Sequence, residues 1–185
     1  SDLEIFMIDE YRNFYCDYTS KLEKNNLHRI YHDTQYGFPV KDDNELFGRL
    51  ILEINQAGLS WTTVLKKQNN FKIAYDNFNI KKIAFYGKND ISRLLNNADI
   101  IRNKIKINSV IYNAQKVLLI KKQYGSFKNW LDINDGKSLI EWIQIFKKTF
   151  KFTGPEITKE FLMSTGKIKG AHIRKCPIFK KTNIK

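Results

Sequence analysis

Acidic residues are scarce in this 185-residue chain: 19 Asp and Glu stand against 32 Lys and Arg, a formal net charge of +13 at pH 7. That excess is far beyond what solubility needs and favours a polyanionic partner, nucleic acid ahead of an anionic membrane surface. Lys, Asn and Ile are also what AT-rich coding enriches, so charge alone does not decide. No run approaches the roughly 18 apolar residues of a membrane span, which excludes that class. The first ten residues carry Asp2, Glu4, Asp9 and Glu10 where a secretory leader would have a basic start and an apolar core, so a cytoplasmic protein is expected. Cysteine is nearly absent. Cys16 and Cys176 cannot form a disulfide framework, and 185 residues can bury a core without one. Strict alternation of apolar and polar residues is missing too, which argues against strands despite the Ile and Val content.

Three- and four-residue spacing fills the gap, and an all-α single domain is expected. Ser1 to Tyr15 mixes charge with apolar residues and suggests a short helix or packed arm. From an N-cap at Asp42 or Asp43 to Ala57, Leu46, Phe47, Leu50, Ile51 and Ile54 form one apolar stripe. Glu53 falls at the border of that stripe, where a carboxylate either reaches water or serves a site. Gly58 stops this helix and Ser60 caps the next, leaving Leu59 on an exposed turn. The second helix is expected from Ser60 to about Phe78, burying Val64, Leu65, Phe71, Ile73 and Tyr75. Helical patterns follow over 80–85, 90–96 and 102–122, the last with a stripe of Ile107, Val110, Ile111, Ala114, Val117 and Leu118.

Two further patterns carry chemistry. A helix from Leu139 to Thr149, the segment Phe150-Lys151-Phe152-Thr153-Gly154-Pro155, and a helix to Thr165 have the layout of a helix-hairpin-helix module. The hairpin amides around Lys151 and Gly154, with the following helix N-terminus, can hold a DNA phosphate without reading sequence. In the tail, His172 and Cys176 have a His-x-x-x-Cys spacing that can place both on one metal. Cys16 and His32 would complete a closed tetrahedral zinc site, which would be structural because no position is left for water. The alternative is four unrelated residues.

Together these stretches resemble the bacterial 3-methyladenine DNA glycosylase I family of the helix-hairpin-helix superfamily. The resemblance rests on Tyr31-His32-Asp33 with Gly37, Leu52-Glu53 with Gln56-Ala57-Gly58-Leu59-Ser60-Trp61, and Val64-Leu65-Lys66-Lys67. It also rests on Ile100-Ile101-Arg102 with Lys106, Asn113-Ala114, Tyr124-Gly125-Ser126-Phe127, Phe150-Lys151-Phe152 with Gly154-Pro155, and His172 with Cys176-Pro177.

The resemblance implies a monomeric, monofunctional glycosylase that flips N3-methyladenine out of alkylated double-stranded DNA and hydrolyses its glycosidic bond. Glu53, Tyr31 and Trp61 would line the base pocket and Leu59, beside Gly58, would fill the gap in the duplex. Cys16, His32, His172 and Cys176 would bind structural zinc, tying segments 1–35 and 166–185 around a helical core of about 40–165. Tyr18 and Tyr36 stand where the family commonly has tryptophan and would stack on the base with smaller rings. Thr149 replaces a usual hairpin glycine, Asp132 a tryptophan and Glu160 a pocket serine. The superfamily's aspartate after the hairpin is missing, since no Asp follows Asp135, so lyase chemistry is not expected. A non-catalytic structure-specific DNA-binding protein and a glycosylase of shifted lesion preference are the alternatives.

Overall fold

The computed structural model describes residues 14–182, so the reading of 1–15 as a helix or arm lies almost wholly outside them. Among the described residues every regular element is helical, as the spacing predicts. Helix α1 covers residues 14–20, followed by α2 (Leu27–Thr34), α3 (Asp43–Gln56), α4 (Trp61–Ala74), a 3-10 turn (Asp76–Phe78), α5 (Ile80–Ala84) and α6 (Lys88–Leu95). Then come α7 (Lys104–Tyr124), α8 (Phe127–Asp132), α9 (Leu139–Thr149), α10 (Pro155–Ser164) and α11 (Phe179–Thr182). None of these helices is long and apolar enough to cross a membrane.

The chain divides into two compact units, 40–161 and 1–39 with 162–185. In the first, α7 packs against α3, α5, α6 and α8, and α3 packs against α4. Side-chain caps start these helices, at Asp42 and Ser60 where the sequence places them and at Asn103, one residue inside the expected start at Arg102. Asp42 accepts from the Glu45 N–H at 2.8 Å, Ser60 from Thr63 at 3.2 Å and Asn103 from Lys106 at 3.1 Å. Each satisfies an N–H that the first turn leaves without a partner, and removing one typically costs about 1 kcal/mol. The core holds Phe47, Leu50, Ile51, Ile54, Phe71, Ile107, Val110 and Ala114. Around α8 to α10 it becomes aromatic, with Phe146 5.3 Å from Phe150 and 5.6 Å from Phe161, ring centre to ring centre.

Two expectations need correction, and one helix was not expected. Helix α4 ends at Ala74 because Asp76, Asn77 and Phe78 take positive φ angles of 51°, 56° and 58°, a left-handed turn that no right-handed helix can continue through. Ile73 is 68 % exposed, since two residues past buried Phe71 is about 200° round the helix, on the opposite face. Phe127–Asp132, which gave no separate signal, is a helix whose first N–H groups are held by Asp43 (Phe127 N 3.0 Å, Lys128 N 2.9 Å).

The left-handed turn drives the Phe78 ring onto Gly48 of α3. A Cβ there would lie 2.2 Å from Phe78 Cδ2. Gly48→Ala should therefore destabilise the protein by about 1–3 kcal/mol despite alanine's better helix propensity, read as a lower urea midpoint at unchanged m. An unchanged or higher midpoint would show that the ring can retreat.

Candidate active site and metal centre

Glu53 is not the border residue that periodicity suggests: it is 4 % exposed. The stripe argument assumes a helix with one solvent face, whereas α3 is enclosed nearly all round in its second half, with Arg49, Leu52 and Asn55 also buried. Burial pushes the Glu53 carboxyl up to about 8, the Glu160 carboxylate adds to the rise, and the Arg49 guanidinium opposes it. Arg49 precedes Glu53 by one helical turn and is 6 % exposed. Sequence reading missed it, although the i, i+4 spacing to Glu53 was the available signal. Glu160, noticed only as a departure from the family, proves to be an electrostatic neighbour of Glu53.

Helix α3 ends as predicted. Gly58 has φ 78°, the Leu59 N–H returns to the Gln56 carbonyl at 2.8 Å, and Leu59 is 38 % exposed on the turn. Trp61 is the first residue of α4, half-buried, directly after the Ser60 cap. In the turn between α9 and α10, Lys151 and Gly154 are exposed and Phe152 has φ 59°. The Lys151 ammonium lies 4.2 Å from the Tyr112 ring centre, a cation–π contact. So the turn residues expected to meet DNA are at the surface of the 40–161 unit, and the carboxylate is inside it.

In the other unit, Cys16, His32 and the His172–Cys176 pair come together from three separate places in the sequence, all buried, with their ligand atoms within 4.8 Å of one another. The proton positions are fixed by what the imidazoles face outward. His172 Nε2 lies 2.6 Å from the Tyr36 carbonyl, which can only accept, so this nitrogen carries the hydrogen. His32 Nδ1 lies 2.7 Å from Asp33 Oδ1 and donates likewise. The remaining nitrogens, His172 Nδ1 and His32 Nε2, therefore turn lone pairs toward each other at 3.1 Å. Two acceptors at that distance repel unless a proton or a cation lies between them. The four sulfur–nitrogen separations are Cys16 Sγ to His32 Nε2 3.4 Å and to His172 Nδ1 3.9 Å, and Cys176 Sγ to either nitrogen 3.7 Å. A tetrahedron with metal–sulfur bonds of about 2.3 Å and metal–nitrogen bonds of about 2.0–2.1 Å has edges of roughly 3.3–3.8 Å. The donor set fits such an ion. Both cysteines are free, and Phe38, Ile173, Ile178 and Phe179 pack an apolar shell against them.

Of the tyrosines expected to stack on a base, Tyr31 and Tyr36 are buried with ring centres 5.6 Å apart, and Tyr36 also meets the His172 ring at 5.6 Å. Tyr18 stacks instead on Phe14 at 6.1 Å and meets His28 edge-on. Tyr15, which the sequence reading placed in the N-terminal arm without a site role, is 5.7 Å from Tyr36 and 5.8 Å from His32.

This helical arrangement is that of the 3-methyladenine DNA glycosylases of known structure. A tyrosine-to-phenylalanine variant of 3-methyladenine DNA glycosylase I, solved in complex with 3-methyladenine, superposes with a TM-score of 0.78 at 30 % identity over 84 % of this chain and 94 % of that one. The enzyme from Staphylococcus aureus gives 0.76 at 31 % identity over 84 % and 93 %. The methyladenine glycosylase profile matches residues 21–144, and the chain belongs to that family. It is 30 % identical to DNA-3-methyladenine glycosylase 1 of Escherichia coli (strain K12) over 78 % of this chain and 88 % of that protein. Identity to the Haemophilus influenzae DNA-3-methyladenine glycosylase is 31 %, over 83 % and 93 %.

Proposed function

We propose that this protein excises 3-methyladenine from alkylated DNA by hydrolysing the N-glycosidic bond, with Glu53 as the catalytic residue that receives the base. The observation that carries this reading is a carboxyl buried on α3, beside the Glu160 carboxyl and one turn from the buried Arg49, inside the segment that matches the family. Such burial is costly for a carboxylate; Arg49 offsets it only in part, since the carboxyl stays raised to about 8, and a cationic base would offset more of it.

N3-methylation gives adenine a positive charge, which weakens its bond to the sugar and makes it a good leaving group without protonation. Reaching it requires extrusion from the duplex, costing a few kcal/mol that stacking and an apolar plug offset. Leu59, on its exposed turn, is the plug. Glu53 accepts a charge-assisted hydrogen bond from the base edge, and Tyr31 and Trp61 supply aromatic faces that favour a cation over neutral adenine. Tyr36 and Tyr18 complete the aromatic set by their match to family positions. Water adds at C1′ as the bond to the base nitrogen breaks, and the bonding pair neutralises the departing base. The proton of the water passes to solvent, and no covalent enzyme intermediate is required. The segment 139–164 acts as a helix-hairpin-helix module, with Lys151 and the backbone near Gly154 holding a phosphate. Zinc held by Cys16, His32, His172 and Cys176 supplies structure only, because four protein ligands leave no position for water or substrate.

The direct test is release of free base from methylated duplex DNA. Tight binding to an abasic duplex without base release would favour a non-catalytic DNA-binding protein.

A further inference from the structure

Helix α7 carries three buried polar side chains that the excision chemistry does not use; Ser109 turns back onto the Ile105 carbonyl of its own helix, whereas Lys106 and Asn113 reach outward. Seven residues apart, they lie on one face of the helix, about 10.5 Å along its axis. Both bond to the backbone of another segment. Lys106 Nζ donates to the carbonyls of Asn55 at 2.9 Å and Ala57 at 2.7 Å, immediately before Gly58 and Leu59. Asn113 pairs twice with Lys151, its Nδ2 donating to the carbonyl at 2.9 Å and its Oδ1 accepting from the N–H at 2.7 Å. The next residue is Phe152, with its positive φ.

Terminating α3 does not need a lysine. Gly58 already supplies the left-handed conformation that ends it, and carbonyls at a helix end are ordinarily met by water. A cation 5 % exposed is an expensive cap, because burial disfavours its charge. What the lysine adds is a tie from the Leu59 turn to α7. Asn113 adds the same for the turn holding Lys151, seven residues further along the same rigid helix.

The geometry points to Lys106 and Asn113 as positioning residues that hold the Leu59 turn and the 150–154 turn at a fixed separation, so that wedge and phosphate anchor engage one stretch of duplex together. This rests on the roles proposed above for those two turns.

The test is binding, by fluorescence anisotropy, to a duplex containing a stable abasic analogue with 2-aminopurine opposite it. Leu59→Ala and Lys106→Met should each weaken binding by about tenfold and blunt the 2-aminopurine response. The double variant should be no more than about twofold worse than either, because Lys106 acts through Leu59. Asn113→Ala should weaken damaged and undamaged duplex alike and lower the slope of log K against log salt by about 1, while Lys106→Met leaves that slope unchanged. Additive losses in the double variant, or an unmoved salt slope for Asn113→Ala, would overturn the proposal. So would failure of the wild-type protein to bind the abasic duplex. If Lys106→Met is unfolded at the assay temperature, Lys106→Gln, which keeps a donor, replaces it in the cycle. Base release by the wild-type protein, assayed in parallel, tests the excision reading separately. Its failure would leave the binding cycle readable.

Discussion

Glu53→Gln should cut release of 3-methyladenine from methylated DNA by on the order of a hundredfold, roughly 3 kcal/mol, because a neutral amide replaces the charged acceptor of a cationic base. Affinity for undamaged duplex should hardly change, since no base enters the pocket there. The same substitution should stabilise the fold, and the sign follows from linkage. Glu53 has its carboxyl raised from 4.5 to about 8 in the folded protein, so between those pH values the native state holds a proton that the unfolded chain has released. Its contribution is intact below about pH 4.5 and is lost as pH rises through about 8. Glutamine does not titrate. The melting-temperature advantage of Glu53→Gln should therefore be near zero at pH 4.5 and grow toward pH 8, provided the difference between the two proteins is followed rather than either curve alone.

Activity should run the other way. If the carboxylate receives the base, kcat/KM rises toward pH 8 with the free enzyme's Glu53, and kcat levels off at lower pH because the bound cation favours the ionised form. A Glu53→Gln protein with full activity, or a wild-type kcat/KM flat from pH 6 to 9, would remove Glu53 from the mechanism.

Stripping the metal should have the second large effect. Analysis of the purified protein is expected to find one zinc per chain, and a strong chelator should lower the melting temperature by about 10 °C or more, given the several kcal/mol that structural zinc supplies. The cause is local: without a cation, the lone pairs of His32 Nε2 and His172 Nδ1 confront each other at 3.1 Å while their other nitrogens stay committed to Asp33 and the Tyr36 carbonyl. Cys176→Ala should reproduce the loss and make the protein insensitive to chelator. Zinc far below one equivalent, or a chelator that leaves the melting temperature unmoved, would contradict the structural-zinc reading.

The parts of the fold legible in the sequence are those set by local chemistry. Asp42 and Ser60 are caps because short oxygen side chains beside an apolar stripe have few other uses, and Gly58 ends α3 because only the left-handed turn fits there. The clustering of Cys16, His32, His172 and Cys176 was also readable, since the His-x-x-x-Cys spacing and the family resemblance put two cysteines and two histidines into one candidate donor set. Tertiary enclosure was not legible. Unlike Ile73, which its spacing from Phe71 alone places on the outer face, Glu53 was put at a border by periodicity and moved because the burial of α3 depends on which neighbours surround it. The left-handed turn at Asp76–Phe78 hides for a similar reason: no glycine marks it, and it is held by Phe78 against Gly48. Lys106 and Asn113 were legible only as residues matching the family, and their contacts were not, because the carbonyls and amide they hold are 38 to 51 residues away.

The central claim is best tested by chromatography of the bases released when the purified protein is incubated with methylated duplex DNA. The account predicts free 3-methyladenine as the dominant product, with the DNA left carrying abasic sites that are not cleaved. Release of neutral or bulkier lesions in preference to 3-methyladenine, or no release from DNA that the protein demonstrably binds, would contradict it.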